Sequence, residues 1–212
     1  MTPVTLVSVN TGVLERLTPA SKSRTGIRKM PVGGTVLCDT VGLVGDAIGN
    51  HKHHGGPDQA VYLYSAEDYA WWNDTLGRPC TPGLFGENLT ISHWWDTPRA
   101  GDRVQFGEVI LELTAPRIPC STLAAHMGDP RFADRFAKAA RPGAYARVLH
   151  TGALSAGLPG HVSPGEVSWP SIVELFDMWL DATCDRARLL HALRAPVGIR
   201  LRERFLQRSA PR

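Results

Sequence analysis

The sequence predicts a mainly β, α+β protein: a β-barrel-like core carrying a few helices, followed by a small three-helix end. Two observations set that expectation. Up to about residue 165 the chain breaks into many short valine-, isoleucine- and leucine-rich runs separated by glycine turns, with few helical stretches between them. That pattern suits a barrel or an α+β core better than repeated βαβ winding. After Gly157-Leu-Pro-Gly-His-Val-Ser-Pro-Gly165 the composition shifts to amphipathic helical spacing. The expected division is therefore 1–165 for the barrel and 166–212 for the helices.

In order along the chain, residues 3–9 read as a strand ending at Asn10-Thr-Gly12, and 24–30 as a second extended stretch halted by Pro31. Val32–Leu37 and the segment around Gly42–Gly49 read as short strands and loops. The glycine- and histidine-rich loop that begins at Gly42 runs on to Asp58 and is long for a compact domain, which marks it as a functional candidate. Gln59–Tyr64 is a compact strand. Ser65-Ala-Glu-Asp68 opens a helix with a capping-box pattern, and Gly77 closes it. Its Tyr69, Trp71, Trp72 and Leu76 are expected in the core. Leu89–Ile91 is a strand; Arg103–Phe106 and Val109–Thr114 form a hairpin across Gly107-Glu108. A helix follows Cys120 to Gly128, and Asp129-Pro130 is expected to start another, with proline at its first position. Gly143–Leu149 returns to strand. Beyond Ser171, a second capping box, three amphipathic helices follow around 172–180, 186–193 and 199–206.

Composition narrows the function classes. At 212 residues with 43% apolar and 20% charged residues, the chain is an ordinary globular one. Cysteines stand at 38, 80, 120 and 184 with no Cys-x-x-Cys pair, which excludes a zinc ribbon or thioredoxin motif and fits a reducing compartment. The amino terminus shows no basic-then-apolar leader, and no apolar run approaches membrane-spanning length. A cytoplasmic protein without a membrane partner is expected. The net charge of +3 resides in the tail, where Ser171–Arg212 carries eight arginines against five acids. These read as solvated helix faces or a docking surface for an acidic partner; no basic-aromatic nucleic-acid motif accompanies them.

The stretch with chemical character is Ala115-Pro-Arg-Ile-Pro-Cys120-Ser-Thr-Leu-Ala-Ala-His126. Pro116 and Pro119 prevent an earlier helix start, so Cys120 is expected where a strand ends and a helix begins. Free amides there and Arg117 three residues upstream favour a thiolate. A cysteine packed as a small apolar residue is the alternative. His51, His53 and His54 lack a helical ligand spacing and make a weak zinc motif. Gly55-Gly56 beside Pro57-Asp58 can form an anion-binding turn or simply a tight turn. Gly86, Glu87 and Asn88 in the loop Gly83–Asn88, with Lys29 and Arg117 as cations, would complete an oxyanion pocket if these loops converge.

Taken together, several stretches resemble the MOSC domain family (the molybdenum cofactor sulfurase C-terminal type), in its YiiM-like branch. They are Thr25-Gly-Ile-Arg-Lys-Met-Pro31, Gly42-Leu-Val-Gly-Asp46, His54-Gly-Gly-Pro-Asp-Gln-Ala-Val-Tyr62, Phe85-Gly-Glu-Asn-Leu89, Gly101-Asp102, Pro116-Arg-Ile-Pro-Cys120 and Tyr145-Ala-Arg-Val-Leu149. They stand in family order over most of residues 3–162. The resemblance implies a MOSC β-barrel with a C-terminal three-helix domain that binds a molybdenum–pterin cofactor. Cys120 would be the protein thiolate on molybdenum, a soft ligand for that metal. Lys29, Asp46, Gly55, Gly56, Asp58, Gly86, Arg117, Tyr145 and Arg147 would surround the cofactor. His54, Glu87 and Asn88 would join Cys120 in orienting it or handling protons. Pyridoxal phosphate binding is a minor further association.

The implied activity is reduction of N-hydroxylated compounds, such as hydroxylaminopurines, to amines. No iron–sulfur cysteine cluster and no Gly-x-Gly-x-x-Gly are present, so electrons are expected from a separate reductase. A homodimer is allowed. The alternatives are a sulfur carrier using a Cys120 persulfide and a module that binds an anion without turnover.

Overall fold

The computed structural model describes residues 1–18, 23–50 and 54–210. Seven strands close into a barrel: β1 (Thr2–Gly12), β5 (Val61–Ser65), β6 (Leu89–Ser92), β7 (Arg103–Phe106), β8 (Val109–Pro116), β9 (Ala144–His150) and β11 (Pro159–Ser163). Around the barrel the order is β11-β7-β8-β9-β5-β6-β1, and β1 pairs with β11 to shut it. Closure removes the open edges that an extended sheet would present. A short strand β2 (Lys29–Pro31) pairs with the end of β1, and β3 (Val36–Asp39), β4 (Gly42–Leu43) and β10 (Gly152–Leu154) form a small separate sheet.

The barrel is antiparallel except for β5 and β6, which run parallel. A parallel neighbour needs a crossover, and helix α1 (Ala66–Leu76) lies on it. Thus one βαβ step is embedded in a fold that the sequence predicts without any. Ser65 caps α1, its Oγ accepting from the Asp68 N–H at 3.1 Å, and Gly77 ends it at φ 63°. This is half of the expected box, because the Glu67 carboxylate takes the Ser65 hydroxyl instead.

Alternation along the strands sorts two cores. Val61 and Leu63 of β5, with Ala144 and Ala146 of β9, face the barrel interior. Tyr62 and Tyr64 face outward into an aromatic cluster with Tyr69, Trp72, Phe85, Phe132 and Phe136. Phe85 is fully buried at its centre, with ring centroids 4.7 Å from Tyr64, 5.2 Å from Tyr69 and 5.4 Å from Trp72. The α1 aromatics are core residues, apart from half-buried Trp71, whose ring lies under the Arg141 guanidinium at 4.6 Å.

Helix α2 (Ser121–Met127) follows Cys120 as expected, and α3 (Phe132–Ala139) starts two residues later than expected. Pro130 does not open α3: Asp129 accepts from the Arg131 and Phe132 N–H groups, making a separate turn first. Extended structure at 24–30 is confined to a bridge between Glu15 and Thr25 and to β2. β11 lies in a Pro–Gly-rich stretch that reads as a connection. Its glycine is needed because Phe106 of β7 occupies the space a Cβ at Gly160 would take.

Helices α4 (Ile172–Leu180), α5 (Arg186–Ala192) and α6 (Ile199–Ser209) follow the barrel. The expected capping box at Ser171–Glu174 is complete in both directions. Leu175, Leu189, Leu201 and Phe205 join the same apolar cluster as the barrel interior. Arg186, Arg188, Arg194 and Arg204 are exposed, as expected for solvated helix faces, whereas half-buried Arg202 donates to the carbonyls of Leu193 and Ala195, and half-buried Arg208 to those of Met178 and Asp181. These last two satisfy the orphan carbonyls at the ends of neighbouring helices.

Truncating the centre of the aromatic cluster should be expensive. Phe85→Ala is expected to destabilise the fold by about 3–5 kcal/mol, measured as a shift in the urea unfolding midpoint at unchanged slope.

Candidate functional site

A cavity of about 570 Å³ lies against the outer face of β5 and β9. Tyr62 and Tyr145 form one wall, their ring centroids 5.0 Å apart. The start of α2 supplies Cys120, and the loops 23–29, 46–50 and 54–60 supply the rest.

The floor is a buried polar joint. Asp46 accepts from the Gly12 N–H at 2.9 Å, from Asn88 Nδ2 at 2.9 Å and from the Lys29 ammonium through both carboxylate oxygens. Asn88 Oδ1 in turn accepts from the Tyr62 N–H at 3.1 Å. Burial pushes the Lys29 pKa down, while the Asp46 charge holds against it. An ammonium has three protons, so one remains for the cavity after Asp46 has taken two. Gly86 lines the wall beside Asn88, with φ 78°, packed against Ile27.

Arg117 is only 3% exposed. Its guanidinium lies over the Tyr62 ring at 5.7 Å and the Phe136 ring at 5.6 Å, and Nη1 has no hydrogen-bond partner. Among the described residues no carboxylate pairs with it. A buried guanidinium cannot shed its proton and is strongly destabilising without a counter-charge. A cation kept in that condition beside a cavity fits an anionic ligand.

Cys120 occupies the cap position of α2 in extended conformation, and its side chain lines the cavity half-exposed. None of the other thiols, Cys38, Cys80 and Cys184, lines the cavity; Cys38 and Cys80 are buried, which pushes Cys38 up to about 12 and raises Cys80 as well.

His54 lines the opposite side, its Nδ1 at 3.4 Å from the Tyr145 hydroxyl. Burial, then the charges of Arg117, Arg200 and Lys29, push its pKa down to about 4. The ring is neutral at pH 7 and so cannot serve there as a cationic partner for an anion. Gly55, at φ 71°, lines the cavity next to it. His51 and His53 of the weak zinc motif lie outside the described residues, and among the described residues no group of three or more His, Cys, Asp or Glu side chains could hold a metal ion.

Four of the sequence-nominated residues are not brought to the cavity. Glu87 is wholly buried in its own loop, its Oε1 accepting from Gly83 N–H at 2.6 Å, the Tyr69 hydroxyl at 2.7 Å and the Thr90 hydroxyl at 2.9 Å. Burial raises its pKa against the lowering pull of those three donors, and Oε2 has no hydrogen-bond partner. Asp58 and Arg147 pair at 3.0 Å, and Arg147 also meets Glu112 at 3.2 Å. Asp58 Oδ2 accepts from the Ile199 N–H at 2.8 Å, so this cluster joins the barrel to α6. Gly56, at φ 85°, turns the chain into the short 3-10 turn Pro57–Gln59. Sequence reasoning missed Tyr62 and Gln59 as cavity-lining residues, although both stand in a quoted motif, and missed Arg200, which nothing local distinguishes.

With this geometry in place, comparison with known proteins is informative. The sequence pattern of the MOSC domain matches residues 50–159. The chain is 34% identical to the YflK protein of Bacillus subtilis over 72% of this chain and 70% of that one. It is 31% identical to a protein named "Reductase" from Gibberella moniliformis, over 73% of this chain but 28% of the fungal protein. The crystal structure of YiiM from Geobacillus stearothermophilus superposes with a TM-score of 0.82 at 27% identity, covering 98% of this chain and all of that one. MOSC domains are associated with molybdenum cofactor binding. None of these relatives supports pyridoxal phosphate, and Lys29, the cavity's lysine, is engaged by Asp46.

Two outcomes follow from the site's electrostatics. Glu87→Gln, which keeps the side chain's shape and its acceptor oxygen, is expected to destabilise the fold less than Glu87→Ala, which loses several bonds and about 2–4 kcal/mol by chemical denaturation. For His54 the folded pKa, about 4, lies below the unfolded value of about 6.5. Between those pH values the unfolded chain binds more protons, so His54's stabilising contribution is complete above pH 6.5 and disappears toward pH 4. His54→Gln should flatten the stability–pH curve across that window relative to wild type. The comparison isolates His54 from His126, which burial shifts in the same direction.

Proposed function

We propose that this chain, which belongs to the MOSC domain family, is a molybdenum-cofactor-dependent reductase that converts N-hydroxylated compounds to amines. The observation that carries the reading is a half-exposed thiol and a buried, unpaired guanidinium lining the same cavity. Its volume lies in the range of about 300–1,000 Å³ typical of small-molecule and cofactor sites.

The donor set fits a soft metal held in an anionic organic frame. Cys120 offers the soft sulfur ligand, and Arg117 offers charge-assisted donors to a phosphate, with the remaining Lys29 proton beside it. The bound group, held by Cys120 and Arg117, would supply two-electron redox chemistry toward the substrate's N–O bond. The protein's residues do the rest. Asp46 fixes Lys29 and Asn88, so the cationic side of the cavity is preorganised before any ligand enters. Tyr62 and Tyr145 present aromatic surface along which a planar substrate can lie. Neutral His54 and the Tyr145 hydroxyl share a hydrogen bond at 3.4 Å, placing an exchangeable proton at the cavity wall. The overall change, R–NHOH + 2e⁻ + 2H⁺ → R–NH₂ + H₂O, needs an external electron donor. A separate reductase protein supplies it in this reading.

The test is to produce the protein in a cofactor-making host, measure molybdenum per chain, and assay reduction of a hydroxylaminopurine with a chemical electron donor. Cys120→Ala is expected to fold normally and to lose at least about 100-fold in activity. Arg117→Ala is expected to lose cofactor content. An active Cys120→Ala protein would overturn the mechanism. A sulfur adduct on wild-type Cys120 with no molybdenum would replace it with a persulfide carrier, and absence of both would leave an anion-binding module.

A further inference from the structure

The tail of the molecule reaches the cavity through one side chain. Arg200 stands in the first turn of α6, whose start is tied to the barrel by the Gly198 N–H on the Thr114 carbonyl at 3.0 Å and by Asp58 on the Ile199 N–H. From there its Nη1 donates to the Gly55 carbonyl at 3.0 Å and to the Gln59 side chain, and its Nη2 donates to the His54 carbonyl at 3.2 Å.

The segment it grips needs an outside hold. Gly55 and Gly56 both stand in the left-handed region, at φ 71° and 85°. Consecutive glycines there carry a large conformational entropy cost on ordering. A Cβ at Gly55 would run into Ile48, so the turn is also close-packed on its inner side. Among the described residues the planar guanidinium fork meets three acceptors in fixed geometry, which a lysine ammonium on its flexible stem does not reproduce.

We infer that Arg200 is a positioning residue for the cavity: by clamping the His54 and Gly55 carbonyls from α6 it fixes where the His54 ring stands beside Tyr145. The C-terminal helices thereby brace the segment that lines the cavity from behind. The effect on turnover rests on the reductase reading; the clamp itself does not. The groups that act on the His54 ring are Tyr145 from β9, Arg117 beyond β8, Lys29 from β2 and Arg200 itself.

The deciding measurement is the NMR titration of the His54 ring in the purified protein, its signal identified by its loss in His54→Gln. In Arg200→Gln the titration should move upward from about 4 toward the ordinary imidazole value, both because the Arg200 charge that lowers it is gone and because the ring gains water and motion. Arg200→Lys keeps the charge, so its smaller upward shift reports the loss of the clamp alone, and no shift in a folded Arg200→Lys protein overturns the inference. Arg204→Ala, on the same helix but over Trp179 at 4.3 Å, should leave the titration unchanged and controls for general loosening of α6. In the cofactor-loaded enzyme, Arg200→Gln should retain molybdenum while kcat falls about 10- to 100-fold, the size of effect that a small misplacement produces. A folded Arg200→Gln protein whose His54 titrates as in wild type overturns the inference. If that variant does not fold, Gln59→Ala, which removes one of the three acceptors, must show a smaller upward shift, and no shift overturns it equally. A wild-type protein without molybdenum or reductase activity would defeat the functional reading while the titration still decides the clamp.

Discussion

The Asp46 carboxylate receives protons from three separate parts of the chain: the end of β1 at Gly12, β2 at Lys29, and the residue before β6 at Asn88. A buried ion pair is stable only when its desolvation is offset by further hydrogen bonds, and Gly12 and Asn88 provide them. Through Asn88 the same joint continues to the Tyr62 backbone and so to β5. One carboxylate therefore sets the spacing of the strand ends around the cavity. Lys29 is neutralised in this arrangement and Arg117 is not, so the unbalanced charge at the site is concentrated on the guanidinium.

That imbalance explains the surroundings of Arg117. Two aromatic faces hold the guanidinium without neutralising it, a weaker compensation than a carboxylate gives. The aromatic cluster behind it, with Phe136 shared between the cluster and the cation, makes the position rigid. Glu87 is kept out of the site by the opposite device. Three donors close on one of its oxygens and hold the carboxyl within its own loop, off the cavity lining. Instead it sets the loop that presents Gly86 and Asn88.

Much of this was legible in the chain, and the failures have physical reasons. Strand alternation, glycine turns and capping boxes are local signals, and they placed α1, α4 and the β7–β8 hairpin within a residue or two. Cys120 at the strand-to-helix junction follows from Pro116 and Pro119. β11 escaped because its sequence, Pro-Gly-His-Val-Ser, carries turn residues, and only its two neighbouring strands make it part of a closed sheet. The parallel β5–β6 pair escaped because strand direction is a long-range property. Asp58 and Arg147 stand in motifs that adjoin the cavity without lining it. Tyr145 and Arg147 share the outer face of β9, but Arg147 lies one step further along the strand, where Asp58, Glu112 and the Pro196 carbonyl hold it away from the cavity. Arg200 looked like its seven tail neighbours, since nothing in an amphipathic helix marks the one arginine that meets carbonyls 145 residues away.

The geometry also weighs between a redox cavity and a sulfur carrier. A persulfide needs an accessible thiol and a route for its acceptor, and an exposed loop cysteine would meet that need. It does not need a guanidinium 3% exposed and left without a counter-charge, which destabilises the empty protein. Nor does it need a cavity of about 570 Å³ whose cationic side is locked by a buried carboxylate joining three strand ends. Structure that burdens the unliganded fold persists where a ligand removes the burden. An anionic group that hydrogen-bonds the Arg117 guanidinium inside the cavity would remove it.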